Sequence, residues 1–144
     1  MKVFLDASVI ITGINSKNSA SNIILKLSQK GKIKTFVSSI TLNEVIRNLN
    51  KNFPKEVLQD FLTYLSKSNF KKIEFKDESE VLKFQGVTTQ KDIHVIAAAS
   101  KAKVDFIITF DRKHLLSIKE GTLPFIILSP ADLIKKIFSK NQSK

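Results

Sequence analysis

The chain has 144 residues, of which 42% are hydrophobic and 26% charged, a balance typical of one soluble globular domain rather than a disordered or membrane-embedded chain. It has no cysteine, which excludes disulfides and thiolate metal sites, so a metal would have to use oxygen ligands or the two histidines. Lys and Arg outnumber Asp and Glu by 24 to 13, and the formal net charge of +11 favours a polyanionic partner such as nucleic acid over a merely lysine-rich solvated surface.

The start of the chain carries no targeting or membrane signal that we recognise. No apolar run approaches the ~20 residues that span a bilayer, and Asp6 interrupts the first apolar stretch too early for the core of a signal peptide. We therefore expect a cytoplasmic protein with no membrane association. Since Arg47 and Arg112 are its two arginines, lysines contacting the nucleic-acid backbone are a more natural expectation than base reading by arginine.

Short apolar runs alternate along the chain with stretches of helical period, which predicts an α/β fold with a central parallel sheet and crossover helices. About five short strands suit this length. The predicted strands are Val3–Asp6, Thr35–Ser38, Lys72–Phe75, Phe106–Thr109 and Phe125–Leu128.

The apolar residues between these strands repeat at helical spacing. The alanine-rich helix should be buried on two sides, because it is apolar nearly all round. We expect a single domain over residues 1–138, followed by a polar tail over 139–144. The predicted helices are Ser39–Leu49, one starting at Pro54, a short one over Glu78–Phe84 ended by Gly86, the alanine-rich Ile93–Ala102 and one following Pro130.

Four acids fall where a parallel sheet binds ligands, beyond the carboxyl ends of its strands. Asp6 closes the first strand and Asp111 follows the fourth. Glu44 lies in the first turns of the helix after the second strand, and Asp92 opens the alanine-rich helix. All four are expected to reach one crevice. Crowded carboxylates repel one another unless they bind protons or a cation, and Mg²⁺ or Mn²⁺ prefers such oxygen ligands.

Each of these acids also has a purely structural interpretation. Asp6 is acceptable as a turn residue that ends a strand, and Glu44 as a solvated position of an amphipathic helix. Asp92 and Asp111 suit helix N-caps, a role compatible with metal binding. Asp105 precedes its strand at the opposite end, which favours a structural or surface role.

The two histidines lie close to these acids in the sequence. His94 follows Asp92 by two residues, and His114 follows Asp111 by three. We predict packed or surface imidazoles rather than catalytic bases at both positions, because a metal-bound water needs no histidine.

With these residues in place, the chain from Met1 to Leu133 resembles the PIN domain family, in particular the small stand-alone toxins of the VapC type. Two departures stand out: Phe110 is bulky where the family has a small or polar residue, and the loop 87–91 lacks the extra acids of some relatives. The resemblance is most specific in the block formed by Asp92–Ala99 and Val104–Asp111. The matching segments are Val3–Ile10, Ser38–Val45, Asp92–Ala99, Val104–Asp111 and Ile127–Leu133.

The resemblance implies a three-layer α/β/α fold and a metal-dependent endoribonuclease. Asp6, Asp92 and Asp111 would hold Mg²⁺ or Mn²⁺, with Glu44 completing the site, and a metal-activated water would attack the scissile phosphate in line. Ser8 and Thr109 would support the site. The expected products carry a 5′-phosphate and a 3′-hydroxyl, and the expected partners are an RNA substrate, a cognate antitoxin and a second copy of the chain.

Three other interpretations compete with this one. A phosphatase of the haloacid-dehalogenase type would need a second Asp two residues after Asp6, where this chain has Ser8. A nucleotide-binding Rossmann protein is disfavoured because no glycine-rich turn follows the first strand. The more serious alternative is a PIN fold that binds RNA or a protein partner without cutting.

Overall fold

A computed structural model describes residues 1–90 and 92–142 and shows a five-stranded sheet in which every neighbouring pair of strands is parallel. The strand order is β3-β2-β1-β4-β5, with helices packed on both faces, so the predicted three-layer α/β/α architecture is confirmed. The strands are β1 Lys2–Leu5, β2 Lys34–Ser38, β3 Lys71–Ile73, β4 Phe106–Ile108 and β5 Ile126–Leu128.

Helices connect β1 to β2, β2 to β3 and β3 to β4, whereas the connection from β4 to β5 has no helix among the described residues, and five of the helices fall where the sequence predicts helices. The sequence pattern predicts no element for residues 7–29, where two helices lie, and the helix predicted over Glu78–Phe84 is shorter than expected. Among the described residues, no helix is both long and apolar enough to cross a membrane. The helices are α1 Ala7–Asn15, α2 Ala20–Gln29, α3 Ser39–Asn52, α4 Lys55–Ser66, α5 Ser79–Leu82, α6 Ile93–Ala102 and α7 Pro130–Gln142.

The last helix runs further than predicted. The sequence predicts a polar tail from Ser139 onwards, but α7 continues to Gln142. No proline or glycine occurs over residues 139–142, so nothing in the backbone prevents the helix from continuing. Ser143 and Lys144, like Lys91 before α6, lie outside the described residues.

Alternation along the strands divides the core between the two faces of the sheet, because successive side chains of a strand point to opposite sides. Val3 and Leu5 of β1 pack in the cluster that includes α1 to α4 and α7. Phe4 lies between them and packs in the other cluster, with α6 and the segment before β5. The apolar character of β1, β2 and β4 therefore follows from burial on both faces.

The position of β1 defines where the chain reverses its direction across the sheet. From β1 the chain adds β2 and β3 on one side, then returns to place β4 against the other side of β1. Such a switch point leaves a crevice beyond the carboxyl ends of the two central strands, where open α/β sheets bind ligands. Asp6 directly follows β1, and Thr109 directly follows β4, so both border this crevice.

Helices α1 and α2 approach each other closely at Gly13. A Cβ atom placed on Gly13 would lie 2.5 Å from Cδ1 of Leu25 and 3.1 Å from the backbone carbon of Ser21. Leu25 is almost completely buried, so its side chain has little room to move away. Glycine is therefore needed here for packing, although alanine would favour the helical backbone by ~1 kcal/mol.

We predict that Gly13→Ala lowers the free energy of unfolding by about 1–2 kcal/mol, because overpacking outweighs the gain in helix propensity. Urea denaturation of the wild type and the variant measures this difference. The same substitution in a Leu25→Ala background should cost less, since the nearest clashing atom is gone. An equal cost in both backgrounds would contradict the steric explanation.

Candidate active site

Asp6 is fixed at the switch point by contacts to both central strands. Its backbone N–H donates to the carbonyl of Ile108 at 3.1 Å, which carries the strand pairing one residue past β1. Oδ1 accepts from the N–H of Ala7 at 2.8 Å and so caps α1. Oδ2 accepts from the hydroxyl of Thr109 at 2.7 Å and that of Ser8 at 3.4 Å. The carboxylate is thus half-buried and held from several directions.

Thr109 links two of the acids through one hydroxyl. Its side chain is fully buried, and Oγ1 donates to Asp6 while accepting from the backbone N–H of Asp111 at 3.1 Å. Ser8 makes a second link, because its Oγ accepts from the N–H of Phe110 at 3.4 Å. These contacts fix the turn after β4 against the beginning of α1.

Asp111 organises the turn that follows it. Oδ1 accepts from the backbone N–H of His114 at 2.9 Å, and the Asp111 carbonyl accepts from the N–H of Leu116 at 2.8 Å. The imidazole of His114 folds back so that Nδ1 lies 3.5 Å from Oδ2 of Asp111 and 3.6 Å from Oδ2 of Asp92. His114 therefore stands between the two acids.

Asp92 stands at the N-cap position of α6, but its side chain makes no capping hydrogen bond. Oδ2 instead accepts from the hydroxyl of Thr89 at 2.9 Å. Burial raises the pKa of Asp92, the Thr89 hydrogen bond lowers it, and the negative charges of Asp111 and Asp6 raise it again, with a net result above the usual range. The side chain is 14% exposed, so little water screens this repulsion.

The chemistry of this donor set suits a hard divalent cation. Ligand atoms of Asp92, Asp111 and His114 all lie within 4.8 Å of one another, and Asp6 is near enough for its charge to act on Asp92. Carboxylate oxygens dominate the set, as Mg²⁺ and Mn²⁺ require. The pKa of Asp92 is raised first by burial and then by the charges of Asp111 and Asp6, and a cation bound beside it would favour the ionised carboxylate.

Glu44 lies beside this cluster rather than within it. Its Oε1 is 3.8 Å from Nε2 of His94, a side chain only 12% exposed on α6. Nδ1 of His94 is buried and has no hydrogen-bond partner among the described residues. His94 is thus packed, as predicted, and it lies beside Glu44 at the first turn of the helix that Asp92 begins.

A polar cleft of about 310 Å³ opens next to Glu44 between α1 and α3. Successive turns of α3 present Arg47, Asn48, Lys51 and Asn52 to it, at the i+3 and i+4 spacing that places residues on one helical face. Ala7 and Ile11 of α1 form the other side. The cleft therefore joins an acid of the candidate site to two cations and two amides.

Sequence reasoning located the three aspartates that the structure brings together, and it missed their neighbours. It assigned His114 no role at the acids. The spacing could have indicated one, because the backbone N–H three residues after Asp111 can reach its carboxylate. The position of Thr89 three residues before Asp92 could likewise have indicated the hydrogen bond between their side chains. Asp105 accepts from the N–H of Lys2 at 2.8 Å at the amino edge of the sheet, which confirms its structural role.

Comparisons with known proteins agree with this geometry. A sequence model of the PIN domain matches residues 2–113. No curated protein matches the sequence. Among solved structures, VapBC2 from Rickettsia felis, bound to a promoter DNA fragment, is 21% identical with a TM-score of 0.63, and the match covers 90% of this chain and 98% of the other.

DNA-bound VapBC from Salmonella typhimurium is 18% identical with a TM-score of 0.65 and the same two coverages. At these identities the structural likeness supports the fold. The match to the family's sequence spans most of the chain, from β1 through the turn at Asp111. This chain therefore belongs to the PIN domain family.

Proposed function

We propose that this protein is a metal-dependent endoribonuclease and the toxin of a type II toxin–antitoxin pair. The observation that carries the proposal is the convergence of Asp6, Asp92 and Asp111 at the switch point, where the pKa of Asp92 is raised above its usual range. Carboxylates kept together at such a cost are typical of a functional site. A net charge of +11 supports RNA as the substrate.

The three aspartates would hold Mg²⁺ or Mn²⁺, with Glu44 completing the site from the side of the cleft. A divalent ion at such a site activates water and stabilises the charge that develops on a phosphodiester. Thr109 and Ser8 orient Asp6, and Thr89 orients Asp92. His114 fixes Asp111 through its backbone N–H and places its imidazole Nδ1 between two of the acids.

RNA would reach the acids along the polar cleft. Arg47 and Lys51 offer positive charge for phosphates, and Asn48 and Asn52 offer amides for sugars or base edges. Phosphates bound there would come next to Glu44, since Glu44 lines the same cleft. The cations of the cleft would thus place the negatively charged substrate next to the acids.

An antitoxin and a second copy of the chain belong to the same proposal. The structural neighbours are VapBC complexes, and their names describe assemblies bound to DNA. Ile40 and Ile46 of α3 and Leu62 of α4 expose large apolar side chains, which suit protein contacts. A PIN fold that binds RNA or protein without cutting is the second candidate, and the cleavage assay distinguishes the two.

We predict that the purified protein cuts single-stranded RNA with Mn²⁺ or Mg²⁺ and not with EDTA. Asp6→Asn and Asp92→Asn should each lose on the order of a hundred-fold or more, since even residues behind metal ligands cost about 10–100-fold. Thr109→Val should lose about 10–100-fold for that reason. Asp60→Asn on exposed α4 is the matched control and should keep full activity. RNA binding without cutting would support the second candidate.

The raised pKa of Asp92 predicts a stability change with a definite sign. The folded protein favours the protonated carboxyl, so ionised Asp92 lowers stability at neutral pH, and this cost disappears toward pH ~4. In EDTA at pH 7, Asp92→Asn should therefore raise the melting temperature, by an amount that shrinks as the pH falls. Mn²⁺ should raise the melting temperature of the wild type more than that of the variant.

Thermal melts of wild type, Asp92→Asn and Asp60→Asn between pH 4 and pH 8 measure both effects. Asp60 lies exposed on α4, so its substitution should leave the melting temperature and the response to Mn²⁺ unchanged. A lower melting temperature for Asp92→Asn at pH 7 in EDTA would show that the carboxylate stabilises the fold, contrary to the repulsion between the acids.

The polar cleft predicts a separable binding defect. Arg47→Ala and Lys51→Ala should weaken RNA binding and reduce the slope of log K against log salt by about 0.7 for each phosphate that the side chain had neutralised. Fluorescence anisotropy of labelled RNA in an Asp92→Asn background measures binding without cutting. Lys135→Ala, an exposed lysine of α7, removes the same charge elsewhere and should change neither quantity. Equal effects of all three substitutions would assign binding to overall charge alone.

A further inference from the structure

Phe110 is an exposed aromatic ring at the candidate active site. The chain has eleven phenylalanines, and only Phe110 and Phe138 are among its exposed large apolar side chains, at 44% and 45%. Phe110 stands between Thr109, which holds Asp6, and Asp111 itself. A single exposed apolar residue is common on protein surfaces. The position of Phe110 is unusual, because it lies between Thr109, which contacts Asp6, and Asp111.

The backbone that carries the ring is held on both sides. The N–H of Phe110 donates to Ser8 Oγ at 3.4 Å, and Ser8 also donates to Asp6. The preceding Thr109 is fully buried, and the following Asp111 N–H donates to the Thr109 hydroxyl. The point of attachment of the ring is therefore fixed relative to the acids, and a flat ligand that covers it meets a pre-organised surface.

The chemistry of the position selects the ligand. A phosphodiester brought to Asp6 and Asp111 carries nucleotides on both sides, and their bases are flat and largely apolar on their faces. An exposed phenyl ring next to that phosphate can stack on such a base, and stacking removes the face of the ring from solvent. The base must be unpaired for its face to be free, because a duplex buries it in the stack.

We propose that Phe110 stacks on the base of a nucleotide adjoining the scissile phosphate and thereby restricts cutting to unpaired RNA. The proposal rests on the ribonuclease function proposed above. Stacking tolerates any base, so it would select the single-stranded state rather than a sequence. Removal of such a ring costs about 5- to 150-fold in affinity for the bound base.

The cleavage test compares Phe110→Ala with Phe138→Ala. Phe138 is equally exposed but lies on α7, whose Lys136 lies over the ring of Phe106 at the beginning of β4, toward the edge of the sheet opposite the acids. On single-stranded RNA that the wild type cuts, Phe110→Ala should lose about 5- to 150-fold in kcat/KM, mainly through KM. Phe138→Ala should match the wild type. Equal activity of Phe110→Ala and the wild type would overturn the proposal.

Abasic substrates identify the partner of the ring. After the cleavage position is mapped, one abasic nucleotide is placed in turn at each of the two positions on either side of it. The wild type should lose activity at one of these positions, and Phe110→Ala should show no further loss there. Independent, multiplying losses from the ring and the base would overturn stacking between them.

The absence of tryptophan from the sequence allows a test that needs no cutting. In an Asp92→Asn background with Mg²⁺, Phe110→Trp introduces a single tryptophan, and single-stranded RNA should quench its emission more than duplex RNA of the same length does. Phe138→Trp is the matched control and should not be quenched. RNA binding without quenching of Phe110→Trp would overturn the proposal. Quenching of Phe110→Trp by single-stranded RNA, together with a wild type that never cuts, would overturn only the ribonuclease function.

Discussion

The hydrogen bond from Thr109 Oγ1 to Asp6 Oδ2 is the contact on which the candidate site depends. It joins the residue after β1 to the residue after β4, at 2.7 Å and with the threonine fully buried. Because the same oxygen accepts from the Asp111 N–H, one hydroxyl sets the spacing of two acids that belong to distant parts of the sequence. The parallel sheet brings the strand ends together, and this bond fixes how the carboxylates stand there.

The arrangement of the acids lowers the stability of the fold at the start of α6. Asp92 occupies the N-cap of α6 without using its side chain to cap, although a capping aspartate stabilises a helix by ~1 kcal/mol. Its carboxylate instead faces Asp111 and Asp6, where burial and repulsion raise its pKa. The helix end is therefore less stable than it would be with a capping side chain. Such a local loss of stability is common at functional sites, and carboxylates placed together in this way suit a cation.

Much of the fold could be predicted because burial on both faces makes the central strands apolar, while α3 shows a clear helical period and α6 is apolar nearly all round. The α1–α2 pair escaped prediction because α1 begins immediately after Asp6, without a turn, and its packing depends on the close approach at Gly13. Asp6 and Asp111 were predictable from strand ends, and Asp92 from the start of the alanine-rich helix. The positions of His114 and Glu44 were not, because the first depends on how the turn after Asp111 folds back and the second on contact with His94, two residues into another helix.

The beginning of α1 shows how the polar cleft and Phe110 relate to each other. Ala7 lines the cleft next to Glu44, while Ser8, the next residue, accepts the N–H of Phe110. Successive residues of a helix point about 100° apart, so these two contacts face different sides of the same turn. Asp6 caps that turn and therefore lies next to both Ala7 and Ser8. In the proposed function, a strand of RNA that lies in the cleft and stacks on Phe110 would cross this turn of α1, whose cap is Asp6.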